Sequence, residues 1–223
     1  IWPEEIRQEA NGGENYLQRG FQRARAMLKP VPYPNTAVEL PKMQAHKRSA
    51  AGINEPFYRT PINVTFEDGI NHVGVKQNAC ILCGDCISGC NYGAKNTTTM
   101  NYLPDACNFG AEIFTEIVVT RIAKADAAWR VYFQPAKLGR DTFSAPEMFI
   151  HADIVMVAAG TLGSTEILIR SRDAGLTLSG ELGSKFTGNG DVLSFGYNTE
   201  ETVNSIGFGD RAVGDINPVG PCI

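Results

Sequence analysis

The chain has 223 residues, 43% of them hydrophobic and 20% charged, and a net charge of −4. That is long enough to bury a core, and the acidic balance offers no footprint for nucleic acid or an anionic membrane surface. No apolar stretch approaches the roughly 20 residues of a membrane span. No signal peptide opens it, and Ile1-Trp2-Pro3 reads as a cut end rather than a natural start.

In chain order, residues 15–29 are expected to form an amphipathic helix. Leu17, Phe21, Ala24 and Leu28 repeat at helical spacing, and Pro30, Pro32 and Pro34 stop it. A second helix is expected over 37–51, weakened by Pro41. Pro61-Ile-Asn-Val-Thr-Phe66 alternates and is β-branched, which predicts a strand. Asp68-Gly69 turns the chain. Thr97 to Phe109 is expected to be partly helical, capped by Asn96 or Thr97. The texture then becomes β-rich. Ala111–Ile122, Trp129–Phe133 and Met148–Ile150 predict a three-stranded meander, with a polar turn at Leu138–Asp141. Ile154–Ala159 is a continuous apolar run of the kind buried on both faces in a parallel sheet. It leads through Gly160 into a helix ending near Ser171. One further strand is expected at Val192–Tyr197.

Six cysteines are present, and four stand in one run, Cys80, Cys83, Cys86 and Cys90. Neighbours that close cannot staple distant parts of a fold, so a metal site in a reducing, cytoplasmic compartment is expected. The C-x2-C-x2-C-x3-C spacing is that of bacterial ferredoxins and suits one [4Fe-4S] cluster. Zinc also suits clustered thiolates, although its sites usually pair two separated C-x2-C knuckles. There is no second run, so the fourth ligand is either Cys90 or a remote residue such as Cys107. Asn91 follows Cys90, where ferredoxins have Pro. A loop whose cysteines bind nothing is the plain structural alternative.

Ala158, Ala159 and Gly160 form the second candidate. A glycine there lets a nucleotide approach the backbone, and a helix N-terminus favours anions. The same strand–Gly–helix turn is common in any α/β protein. The dinucleotide fingerprint G-x-G-x-x-G is absent, and Gly207-Phe-Gly209 leads into no suitable helix. His46 reads as solvated, His72 as a loop residue that could touch the cysteines, and His151 as a strand end. Glu4-Glu5 and Glu200-Glu201 read as surface charge.

Three stretches carry a resemblance: Gly89-Cys-Asn-Tyr-Gly-Ala-Lys95-Asn-Thr, Asn101-Tyr-Leu103-Pro-Asp-Ala106, and Val157-Ala-Ala-Gly160-Thr-Leu-Gly-Ser-Thr-Glu166-Ile-Leu. With Phe21–Leu28, Gly110–Ile113, Gly188–Asp191 and Val219–Pro221, they make the chain resemble the glucose–methanol–choline (GMC) flavin oxidoreductases, in the cholesterol-oxidase-like branch. Arg172 stands where the family signature usually has Gly. The resemblance implies a mixed α/β fold, in which part of a Rossmann-like FAD-binding domain with a β-meander interleaves with part of a substrate domain. The expected segments are 1–75 (substrate domain), 76–110 (cysteine loop and helix), 111–175 (FAD domain) and 176–223 (substrate domain again).

The same resemblance implies that Val119 contacts adenine through its backbone and that Ala158–Gly160 lies near the ADP half of FAD. The reaction implied is hydride transfer from an alcohol or sterol to flavin N5. The family's pyrophosphate-binding strand and turn would lie before Ile1, and its catalytic residues beyond Ile223, so no catalytic residue is assigned. An exposed sheet edge is then expected. If the cysteines held a cluster, it would relay electrons from the flavin to an outside electron acceptor. The alternative reading is an iron–sulfur or zinc binding module with neither flavin nor catalysis.

Overall fold

Asn15 starts the first helix, α1 (Tyr16–Leu28), by a reciprocal cap. Its side chain accepts from the Gln18 N–H at 2.8 Å, and the Gln18 side chain accepts from the Asn15 N–H at 3.4 Å. Lys29 ends the helix in a left-handed conformation (φ 47°), ahead of the prolines. The protein is described here from a computed structural model, covering residues 15–136, 147–207 and 218–221. Ile1–Pro3, Glu4-Glu5, the turn at Leu138–Asp141 and Phe208-Gly209 lie outside the described residues.

The described elements form a mixed α/β chain that divides into two compact units. The first takes Ile1–Glu112 and Gly196–Ile223. Besides α1 it holds α2 (Pro41–Gly52), the short hairpin β1 (Gly69–Ile70) and β2 (Lys76–Gln77), a 3-10 turn over Thr98–Met100, and α3 (Tyr102–Asn108). Pro41 does not weaken α2 but begins it, because a proline at the first helical position gives up an N–H that would have no partner anyway. Thr97 is the N-cap residue of the 3-10 turn, without a side-chain bond, whereas α3 is capped by Asn101, whose side chain accepts from the Tyr102 N–H at 2.6 Å. The core of this unit is Tyr33, Leu40, Val64, Val73, Cys86 and Ala94, joined by the polar Gln77 and Asn101.

The strand expected at 61–66 does not form. Ile62 and Val64 each make one isolated bridge, to Val31 and to Lys95. With a different partner on each side, no ladder extends. Phe66 instead packs edge-on to Tyr33, with ring centroids 5.6 Å apart.

The second unit, Ile113–Phe195, holds the meander. β3 (Ile117–Ala125), β4 (Ala128–Pro135) and β5 (Met148–Ala152) pair antiparallel in the order β3-β4-β5. Ala111–Glu116 stays outside the sheet, and Glu116 turns the chain at a positive φ of 57°. A β-bulge interrupts β3 between Val119 and Arg121. Helix α4 (Gly160–Asp173) packs on β3, burying Ile122, Ile167 and Ser171.

Two expected strands are absent from this unit. Ile154–Ala158 is unpaired, and Ile154 and Met156 are 80% and 88% exposed rather than buried. No described strand lies beside it, so its backbone has nothing to pair with. Val192–Tyr197 is likewise irregular and exposed.

Candidate functional site

The start of α4 is the first candidate region. Gly160 adopts φ +74°, a conformation that glycine enters without strain. Ala159 occupies the cap position and provides no side chain for it, and no acidic residue stands in the first turn. The Ser164 hydroxyl reaches back to accept from the Ala159 N–H at 3.0 Å. Arg170 and Arg172 lie in the last turn, where a cation suits the helix dipole. Apart from that Ser164 bond, the N-terminal end has no side-chain cap and no acidic residue in its first turn, which suits an anion. Ala158 precedes this turn in extended, exposed backbone.

Val119 lies on β3 opposite Phe133, at the edge of the bulge. Such bulges bend a strand and leave backbone groups outside the ladder. The Thr120 hydroxyl recovers one such interaction by donating to the Tyr132 carbonyl at 3.3 Å. Beyond the bulge, the Ile122 N–H donates to Ser171 Oγ at 2.8 Å, and Ser171 Oγ donates in turn to the Ile167 carbonyl at 2.7 Å.

The cysteines occupy a separate region in the first unit. Cys80, Cys83, Cys86 and Cys90 all line one cavity of about 20 Å³, together with Asp85 and Lys95. All are free thiols, and Cys107 is exposed and lies elsewhere. The Lys95 ammonium donates to the Cys86 carbonyl at 2.8 Å. Burial pushes the Cys80 thiol up to about 11. The Leu82 N–H, 3.4 Å from its sulfur, pulls the other way, and the three neighbouring cysteines add to the rise.

The run of four is therefore brought together, but not into a ligand set. Among the described residues, no group of three or more His, Cys, Asp or Glu side chains is arranged to hold a metal ion. A volume of 20 Å³ holds about one water. As placed, the thiols leave no room for a cluster and form no group arranged to hold a metal ion.

The loop that carries the thiols is fixed from far along the chain. The Gly207 N–H donates to the Gly84 carbonyl at 3.0 Å, and the Gly220 N–H to the Leu82 carbonyl at 2.8 Å. A Cβ at Gly207 would stand 1.9 Å from the Cys83 carbonyl oxygen, so only glycine permits that approach.

His72 is not among the residues that line the cysteine cavity. It lines a different cavity, of about 230 Å³, with Asn71, Gln77, Asn96 and Asn101. Those four amides form a network that sequence reasoning missed. Asn71 donates to Gln77 Oε1 at 3.0 Å and to the Met100 carbonyl at 2.6 Å. Gln77 donates to Asn96 Oδ1 at 2.9 Å and to the Gly93 carbonyl at 3.2 Å. Asn96 donates to the Leu28 carbonyl at 2.8 Å, and Asn101 to the Asn96 carbonyl at 3.2 Å. The signal was four amides between glycines and apolar residues, but amides have no periodicity that marks burial. His46 and His151 are exposed.

Comparison with known proteins gives the family. The family model described as GMC oxidoreductase matches residues 37–182. A cholesterol oxidase of Mycobacterium tuberculosis (strain CDC 1551 / Oshkosh) is 29% identical over 179 residues, which is 71% of this chain and 29% of that protein. A cholesterol oxidase of Acinetobacter baumannii is 26% identical over 211 residues, 86% of this chain and 38% of that protein. The chain thus spans between 29% and 38% of the length of these relatives. No solved structure matches it. No helix among the described residues is long and apolar enough to cross a membrane. The family match covers well over half of the chain, and the chain belongs to the GMC oxidoreductases.

Proposed function

We propose that this chain is part of an FAD-dependent oxidoreductase acting on the CH–OH group of an alcohol or sterol. The observation that carries the reading is the start of α4, with no cap from Ala159 and no acidic residue in its first turn, within a region matched by the GMC family. Val119, Ala158, Ala159 and Gly160 would hold FAD: Val119 through its backbone toward the adenine, the other three toward the ADP phosphates. FAD, when bound, supplies the acceptor for a hydride leaving the alcohol carbon. The part assigned to these residues is to bind and orient the adenine half. The likeness to cholesterol oxidases supports a sterol as the alcohol.

The test is to purify the intact protein, release its cofactor by denaturation, and assay oxidation of a sterol and of simple long-chain alcohols. Stoichiometric FAD and alcohol-dependent flavin bleaching are expected. A protein that neither contains nor takes up FAD would overturn the reading, and would favour a metal-binding module without flavin.

A relay from flavin through an iron–sulfur cluster to an electron acceptor rests on the spacing of Cys80, Cys83, Cys86 and Cys90 and on their shared cavity. The thiols as placed do not fit a cluster, so no step is derived through it. Iron and acid-labile sulfide in stoichiometry with the flavin would carry that reading. Flavin-loaded, active protein lacking both would dismiss it.

A further inference from the structure

We propose that Ser171 is a positioning residue for the adenine half of the cofactor, an inference that rests on the FAD reading above. Ser171 is 1% exposed, and its hydroxyl does two jobs at once. It accepts from the backbone of β3 at Ile122 and donates to its own helix at Ile167. A hydroxyl can do both because it carries one donor and two acceptor sites.

The position of this tie gives it consequences beyond local satisfaction. On the strand side it is made three residues past Val119, immediately after the bulge. On the helix side it is made eleven residues past Gly160, about 16 Å along the axis. The two segments assigned to the adenine and to the phosphates are therefore carried by elements joined through one buried oxygen. Burial of Ile122 and Ile167, where α4 packs on β3, holds the helix on the sheet but is non-directional. The hydroxyl bridge is directional, and it fixes how far α4 slides along β3. Removing it leaves the Ile122 N–H buried without a partner and frees that slide. Gly160 and Val119 then lose their fixed separation.

A serine that bonds back to the carbonyl four residues earlier is common in helices and often does nothing more. The bond from Ile122 is what distinguishes this one. The experiment uses the intact protein stripped of flavin, titrated separately with FAD and with ADP. Ser171→Ala is expected to weaken both about tenfold and by the same factor, and Ser171→Thr to recover most of the loss. Ile167→Val trims packing at the same junction and leaves the tie in place. It is expected to lower the melting temperature with ADP affinity unchanged.

The proposal is overturned if Ser171→Ala binds ADP within twofold of the parent, or if Ile167→Val weakens ADP as much as Ser171→Ala does. Should Ser171→Ala be too unstable to titrate, Ser171→Cys must show the same paired loss at smaller size. Unchanged ADP affinity in that variant overturns the proposal equally. A parent protein that takes up no FAD would instead fail the cofactor reading itself.

Discussion

The two units are held together in different ways. The first has few strand pairs and closes on side chains that bond to backbone: four amides join Leu28, Gly93, Met100 and one another, and glycines bring backbones from distant segments into contact. The second is mainly a ladder, with eight partnered positions between β3 and β4, and it buries only Ile122, Ile167 and Ser171 among its described residues. A ladder tolerates side-chain change, because its bonds belong to the backbone. An amide network does not, because each member that goes takes bonds away from its neighbours.

That contrast can be broken in several places. The largest effect is expected at Gly207→Ala, whose Cβ would meet a backbone oxygen that no rotamer can move. A loss of about 3 kcal/mol is expected, read as a shift in the denaturant midpoint, with faster amide exchange at Leu82–Gly84. An unchanged midpoint would show that the two backbones are not in contact. Next, Asn96→Ala removes one of the two acceptors of Gln77 Nε2 and the donor to the Leu28 carbonyl, and should cost about 2.5 kcal/mol. Exchange should rise in the first unit and stay unchanged in β3–β5. Ile122→Ala should do the reverse at about 2 kcal/mol, near the low end for such truncations because so little else is buried there. The smallest effect belongs to Asn15→Ala, about 1 kcal/mol, seen as fraying of the first turn of α1.

The meander, α1 and α4 were legible in the sequence, because period-two and period-3.6 patterns report faces directly. Residues 61–66 and 154–159 misled for one shared reason. Each has the composition of a strand, but a strand needs a neighbour as well as a propensity, and a local pattern does not supply one. The amide network was invisible for a related reason. Asn71 and Gln77 meet Asn96 across some twenty residues of loop, and no spacing rule links them. The four cysteines line one cavity, but the metal group expected from their spacing is not formed among the described residues. Ser171 lies four residues past Ile167 on the buried side of α4, so the helical period could have marked it.

The pairing of Gly84 with Gly207 also sets an order in time. Its two halves are 123 residues apart in the chain. At about 5–20 residues per second, a nascent chain makes the second roughly 6–25 s after the first. Until then the Leu82 and Gly84 carbonyls, on residues in left-handed conformations (φ 62° and 78°), lack the bonds that Gly220 and Gly207 supply. The thiol loop thus gains its last two backbone ties only after more than a hundred further residues have been made.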